Sequence, residues 1–124
     1  MQRILIVDDD KLILWGLSKA IRDFYDFPIE IKTIDNGTEA LIEISSNYYD
    51  ICILDVYLLD SNGIDIMKKV KDVSPKTRVI IMTAQDITDN MKSEIEREAY
   101  QFIPKPLDLF QVKMIIKNAI STPG

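Results

Sequence analysis

Residues 3–10 read Arg3-Ile4-Leu5-Ile6-Val7-Asp8-Asp9-Asp10, four consecutive aliphatic side chains that run straight into three carboxylates. A strand with one face in water alternates apolar and polar residues, whereas a strand covered on both faces is apolar throughout, as in a parallel sheet packed between helices. Residues 51–56 (ICILDV) and 79–83 (VIIMT) have the same character, and 29–34 and 101–103 add two further strand candidates. Between and after them apolar residues recur three and four apart: Leu14, Leu17 and Ile21; Ala40, Leu41 and Ile44; Ile64, Met67 and Val70; Ile87, Met91 and Ile95; Leu109, Val112, Ile116 and Ile120. That spacing predicts five helices, each with one buried stripe. Asn36-Gly37, Ser61-Asn62-Gly63, Ser74-Pro75 and Lys105-Pro106 punctuate the gaps. Five strand–helix alternations favour parallel pairing through right-handed crossovers, hence an α/β fold, a three-layer doubly wound (βα)5 sandwich.

A chain of 124 residues carries one core. We expect a single domain over residues 1–120, with Ser121-Thr122-Pro123-Gly124 as a patternless tail or linker. A hydrophobic share of 47% and a charged share of 28% match an average soluble globular protein. Apolar runs fall far short of the roughly 20 residues a membrane helix needs, and no signal peptide is visible, so a cytoplasmic protein without membrane attachment is expected. The net charge of -5 disfavours nucleic-acid binding by this domain. The negative charge is concentrated in residues 1–62, with 12 acids against 5 bases; residues 63–124 carry 8 against 10. There is no histidine and one cysteine, Cys52, which excludes an internal disulfide, imidazole catalysis and a Cys/His zinc site.

In open parallel sheets the ligand crevice lies beyond the carboxyl ends of the strands. The first apolar run ends in Asp8-Asp9-Asp10, the third reaches Asp55, the fourth ends in Thr83 and the fifth is followed by Lys105. Singly, each has an ordinary reading: helix cap, turn residue, strand threonine, solvated lysine. Jointly they mark one edge of the sheet. Clustered carboxylates repel unless a cation intervenes, and an all-oxygen donor set selects Mg²⁺, Mn²⁺ or Ca²⁺ over zinc or copper, with Mg²⁺ suited to few carboxylates and several waters. Thr83 as donor and Lys105 as point charge suit a phosphoryl group beside that metal, and Asp55 is the candidate nucleophile.

These residues resemble the receiver domain of two-component response regulators over essentially the whole chain. The resemblance rests on Asp8-Asp9, on Ile53-Leu54-Asp55-Val56 with Gly63 eight residues after Asp55, on Met82-Thr83-Ala84, and on Phe102-Ile103-Pro104-Lys105-Pro106. It implies a flavodoxin-like sheet in order 2-1-3-4-5 and Mg²⁺ held by Asp9, Asp55 and the carbonyl of Tyr57, with Asp8 acting through water. It also implies phosphorylation of Asp55 by a sensor histidine kinase or histidine phosphotransfer protein, and a cis Lys105-Pro106 bond. Thr83 and Phe102 lie on the neighbouring fourth and fifth strands, so a hydroxyl drawn toward a phosphoryl group would vacate space that the ring could fill. The readout expected from that coupling is a surface of fourth helix (about 88–98), fifth strand and fifth helix (about 107–120), used for a target or for homodimerisation. Leu59 stands where many receivers carry proline, and Phe102 where tyrosine or another aromatic is usual.

Three other readings compete. A Mg²⁺-dependent phosphatase with an aspartyl-phosphate intermediate needs a second carboxylate two residues after the nucleophile, where this chain has Tyr57. A flavin-binding protein of this topology needs a phosphate cradle where this chain has three aspartates. A receiver-like module that only binds leaves the filled catalytic positions without a role. Elsewhere, ordinary roles are expected: Asp10 exposed or capping, Cys52 buried, Leu14 and Trp15 in core or helix packing, Tyr48 and Tyr49 in surface packing, and Lys68, Lys69 and Lys71 on a solvated helix face.

Overall fold

The computed structural model describes residues 1–26, 28–83 and 86–121. Ala84 and residues 122–124 of the expected tail lie outside the described residues, and Ser121 closes the last helix. In chain order the elements are β1 (Gln2–Val7), α1 (Lys11–Phe24), β2 (Ile29–Ile34), α2 (Gly37–Ser46), β3 (Ile51–Asp55), α3 (Gly63–Val73), β4 (Arg78–Thr83), α4 (Asp89–Glu98), β5 (Gln101–Pro104) and α5 (Leu109–Ser121). The strands form one parallel sheet in order β2-β1-β3-β4-β5, with Ile4 opposite Ile51, Ile53 opposite Ile80 and Ile81 opposite Phe102.

Strand side chains alternate between faces, and here both faces are dry. Leu5, Val7, Cys52, Leu54, Val79 and Ile81 pack under α2, α3 and α4. Ile4, Ile6, Ile51, Ile53, Ile80 and Met82 pack under α1 and α5 through Leu14, Leu17, Ile21, Val112 and Ile116. Each fully buried Ile or Leu contributes roughly 1.5–3 kcal/mol, so the continuous runs of β1, β3 and β4 hold the middle of the molecule together. Strand β2 lies at the edge and is only partly covered.

Short polar residues start the helices. Asp10 accepts from Leu12 N–H at 2.9 Å, Asn36 from Glu39 N–H at 2.8 Å, Asn62 from Ile64 N–H at 2.8 Å and Thr88 Oγ1 from Met91 N–H at 3.1 Å. Asp10 is thus a cap, and Asn36-Gly37 opens a helix as expected. Helix α5 begins at Leu109, where the apolar periodicity begins and two residues after the expected helix start near 107, because Asp108 accepts from Phe110 N–H at 2.9 Å.

Three apolar or aromatic expectations are corrected. Trp15 is 65% exposed on the outer face of α1 beside exposed Leu12, while Leu14 is buried. Tyr49 is buried, its hydroxyl donating to Glu43 at 2.6 Å with the Arg3 guanidinium 4.7 Å from its ring centre; satisfying that hydroxyl lets a tyrosine go inside. Leu109 is exposed at the start of α5, one residue before exposed Phe110. Cys52 is buried, as expected.

Candidate functional site

The sheet order brings the ends of β1, β3, β4 and β5 side by side, and the residues that follow them converge. Asp8 succeeds Val7 and is buried; its N–H donates to Ile34 carbonyl at 3.2 Å and its Oδ1 accepts from Asp10 N–H at 2.8 Å. Asp55 ends the central strand and is also buried, with Oδ1 accepting from Tyr57 N–H at 3.2 Å. The remaining oxygen of each carboxylate faces Lys105, whose Nζ donates at 3.0 Å to Asp8 Oδ2 and at 3.0 Å to Asp55 Oδ2. Lys105 itself is aimed by its backbone: its N–H donates to Thr83 carbonyl at 2.8 Å, and the Lys105-Pro106 bond is cis.

Asp8, Asp9 and the nucleophile candidate Asp55 each offer a carboxylate oxygen, and these oxygens lie within 4.8 Å of one another. Three carboxylates against one ammonium leave two formal negative charges in a largely buried space. Burial foremost, and Asp8 beside it, raise the Asp55 pKa above the ordinary carboxylate value, although the hydrogen bond from Lys105 pulls it down. Burial alone would lower the Lys105 pKa; its hydrogen bonds to Asp8 and Asp55 outweigh that and hold it above the ordinary lysine value. An excess of two charges, hard oxygen donors and no nitrogen or sulfur fit a divalent cation such as Mg²⁺.

Thr83 ends β4 and is buried. It shares strand parity with Val79 and Ile81, so it faces the α4 side of the sheet, as does Phe102, which lies opposite Ile81. Phe102 is 41% exposed and lines a small pocket of about 40 Å³ with Ile87, Lys92, Ile95 and Glu96. A groove of about 480 Å³ between α1 and the end of β2, lined by Lys11, Trp15, Arg22 and Asp35 among others, contains none of these site residues.

The bonds that close and anchor the β3–α3 loop are the part sequence reasoning missed. Gly63 N–H donates to Val56 carbonyl at 2.7 Å, Tyr57 and Asn62 form an antiparallel bridge, and a Cβ on Gly63 would overlap the Asp55 carbonyl, so glycine is required by close approach. The loop is tied outward twice. Asp60 Oδ1 accepts from Gly37 N–H at 2.8 Å and its Oδ2 from Thr38 N–H at 3.1 Å and Thr38 hydroxyl at 2.9 Å, while Tyr57 hydroxyl donates to Asp86 carbonyl at 2.7 Å. No local pattern announces the first tie, because its partners are 23 and 22 residues away.

Fold and site together define a flavodoxin-like α/β protein with an acidic centre at the carboxyl edge of its sheet. Comparison with known proteins gives that class a family. The family model for the response regulator receiver domain matches residues 4–117. The transcriptional regulatory protein CiaR of Streptococcus pneumoniae is 33% identical over 124 residues, covering 100% of this chain and 54% of that protein. The DNA-binding transcriptional regulator NtrC of Escherichia coli is 32% identical over 123 residues, covering 98% of this chain and 26% of that protein. A crystal structure of a response regulator receiver domain protein from Clostridium thermocellum superposes with a TM-score of 0.85 at 27% identity, covering 97% of this chain and 94% of that one. The chain belongs to the response regulator receiver domain family. Receiver domains are signalling switches, and this chain spans about half the length of CiaR and about a quarter of NtrC.

Proposed function

We propose that residues 1–120 form a phosphoacceptor switch in which Asp55 takes a phosphoryl group from a sensor histidine kinase or histidine phosphotransfer protein. The observation that carries this reading is the Asp55 carboxylate at the end of the central strand, one oxygen 3.0 Å from the Lys105 ammonium and within reach of Asp8 and Asp9. Asp9, Asp55 and the Tyr57 carbonyl would hold Mg²⁺, with Asp8 bound through water. When bound, the metal supplies charge neutralisation for the transferring phosphoryl oxygens.

An Asp55 oxygen forms the new bond to phosphorus while the donor's P–N bond breaks, the nitrogen keeping the bonding pair and the ring leaving as neutral imidazole because its other nitrogen already carries a proton. Lys105 moves from pairing with Asp8 and Asp55 to pairing with phosphoryl oxygens, and Thr83 donates a hydrogen bond to the same group. The chain assists its own phosphorylation and dephosphorylation and is not an enzyme acting on other substrates. Thr83 and Phe102 on the same side of the sheet support readout through α4, β5 and α5, by a target or by homodimerisation. Tyr57 stands where the rival phosphatase reading needs an acid, and its hydroxyl is engaged with the Asp86 carbonyl. Among the described residues no helix is long and apolar enough to cross a membrane. A cytoplasmic location is the reading that membership of the receiver domain family supports.

Acetyl phosphate with Mg²⁺ should add one hydroxylamine-labile phosphoryl group to the wild type and none to Asp55→Asn. Unchanged labelling of that variant overturns the assignment. Calorimetric titration of Mg²⁺ should show binding that depends on Asp9, and wild-type affinity in Asp9→Ala would reduce the acidic cluster to a structural feature.

A further inference from the structure

We infer that Asp60 is a positioning residue for the candidate metal site, fastening the β3–α3 loop, and with it the Tyr57 carbonyl, to the first turn of α2. This rests on the phosphoacceptor reading above. The first N–H groups of a helix have no partner within it. In α2 they are divided between two side chains: Asn36 takes Glu39 N–H at 2.8 Å, and Asp60, from another part of the chain, takes Gly37 N–H at 2.8 Å and Thr38 N–H at 3.1 Å. The helix therefore already has its own cap, and the second carboxylate ties one element to another.

What is tied is a compact unit. The Tyr57–Asn62 bridge, the Leu58 N–H to Ser61 carbonyl bond at 3.3 Å and the Gly63 N–H to Val56 carbonyl bond at 2.7 Å close the loop on itself, and Leu58 is tucked into the core. A closed turn moves as one piece, so anchoring Asp60 restrains Tyr57 three residues away. The opposing surface is shaped for that contact: a Cβ on Gly37 would overlap the Ser61 side chain and Ile66 Cδ1. Hydrogen bonds from the Gly37 and Thr38 backbone lead the influences that lower the Asp60 pKa to about 2, as expected of a carboxylate engaged as an anion at a helix start.

Groups that orient metal ligands from outside typically change affinity by roughly 10–100-fold when removed. Since Asp60 is at the surface, about tenfold is expected for Asp60→Ala, read as the Mg²⁺ dissociation constant by calorimetry on the unphosphorylated protein, with thermal unfolding followed in parallel. Asp60→Asn keeps one acceptor oxygen and should fall between wild type and Asp60→Ala. A merely structural contact would lower the melting temperature and leave the Mg²⁺ constant alone. An Mg²⁺ constant within twofold of wild type in folded Asp60→Ala overturns the inference; if that variant does not fold, an unchanged constant in Asp60→Asn does so. Failure of the underlying reading looks different: the wild type itself would bind no Mg²⁺, or bind it regardless of Asp9→Ala, and both conclusions would fall together.

Discussion

Replacing Lys105 with methionine keeps a long flexible stem and deletes the ammonium that separates two buried carboxylates. The ammonium is 3.0 Å from an oxygen of Asp8 and 3.0 Å from an oxygen of Asp55. At an effective dielectric of about 20 each contact has a gross Coulomb attraction of about 5.5 kcal/mol. Desolvation opposes most of that, and removing one partner of a fully buried pair typically costs about 3–5 kcal/mol net. The Lys105 side chain is 21% exposed, so screening reduces the figure, and we expect a loss of about 2–3 kcal/mol at neutral pH in chelator. For a domain of this size that is about a 10 °C drop in melting temperature.

Two controls give the prediction its sign. Asp55 already has a raised pKa, and loss of Lys105 raises it further; a carboxyl with a folded pKa above its unfolded value makes the fold less stable as pH rises through that interval. Lys105→Met should therefore regain stability on acidification toward that interval, and also on adding Mg²⁺, which replaces the missing positive charge. In an Asp55→Asn background the same substitution should cost distinctly less, since one of the two carboxylates is gone. Urea unfolding at 25 °C across the four proteins measures the cycle. A loss below 0.5 kcal/mol in chelator (against the roughly 3 kcal/mol scale of such pairs), or an equal loss in both backgrounds, refutes the account of Lys105 as the bridge.

Thr83→Ala should still accept phosphate on Asp55 but transmit it poorly; NMR shift changes in α4 and β5 on adding beryllofluoride should be much reduced, and equal changes in both proteins would rule out the coupling to Phe102. Gly63→Ala forces a Cβ against the Asp55 carbonyl and Val56 Cα and should cost about 1–3 kcal/mol in urea unfolding, whereas a neutral effect would mean the loop yields freely. The Asp60 carboxyl, followed by carbon NMR, should titrate at about 2; the stability it contributes is present above the ordinary 3.8 and is lost as pH falls from there through about 2. A midpoint at or above the ordinary value would remove the tie to α2.

How much of this was legible in the sequence depends on how local each cause is. The runs around Ile4–Val7, Ile51–Leu54 and Val79–Met82 are apolar because both sheet faces are covered, and that shows without knowing any partner. Asp8, Asp9, Asp55, Thr83 and Lys105 were readable as a group because the strands of a doubly wound sheet all end at one edge. Trp15 follows Leu14 by one residue and lies off the stripe of Leu14, Leu17 and Ile21, so the helical period places it toward water and only its large apolar ring suggested packing. Tyr49 was misjudged because its burial depends on Glu43 and Arg3, one six residues away and the other on the neighbouring strand β1. The Asp60 contact with α2 was invisible for the same reason, since only the folded chain brings residues 37 and 60 together.

The ion pair between Asp8 and Lys105 joins positions 97 residues apart, near the two ends of the described chain, with Asp55 about midway. Long-range contacts form late, because the entropy of closing a long loop opposes them until neighbouring strands are in place. Because β3 and β4 lie between β1 and β5, Lys105 reaches Asp8 and Asp55 only when β5 is docked, and without that strand the carboxylates have no ammonium between them. On the proposed reading, competence to receive a phosphoryl group would double as a check that β1, β3, β4 and β5 have come together, whether or not edge strand β2 has joined them.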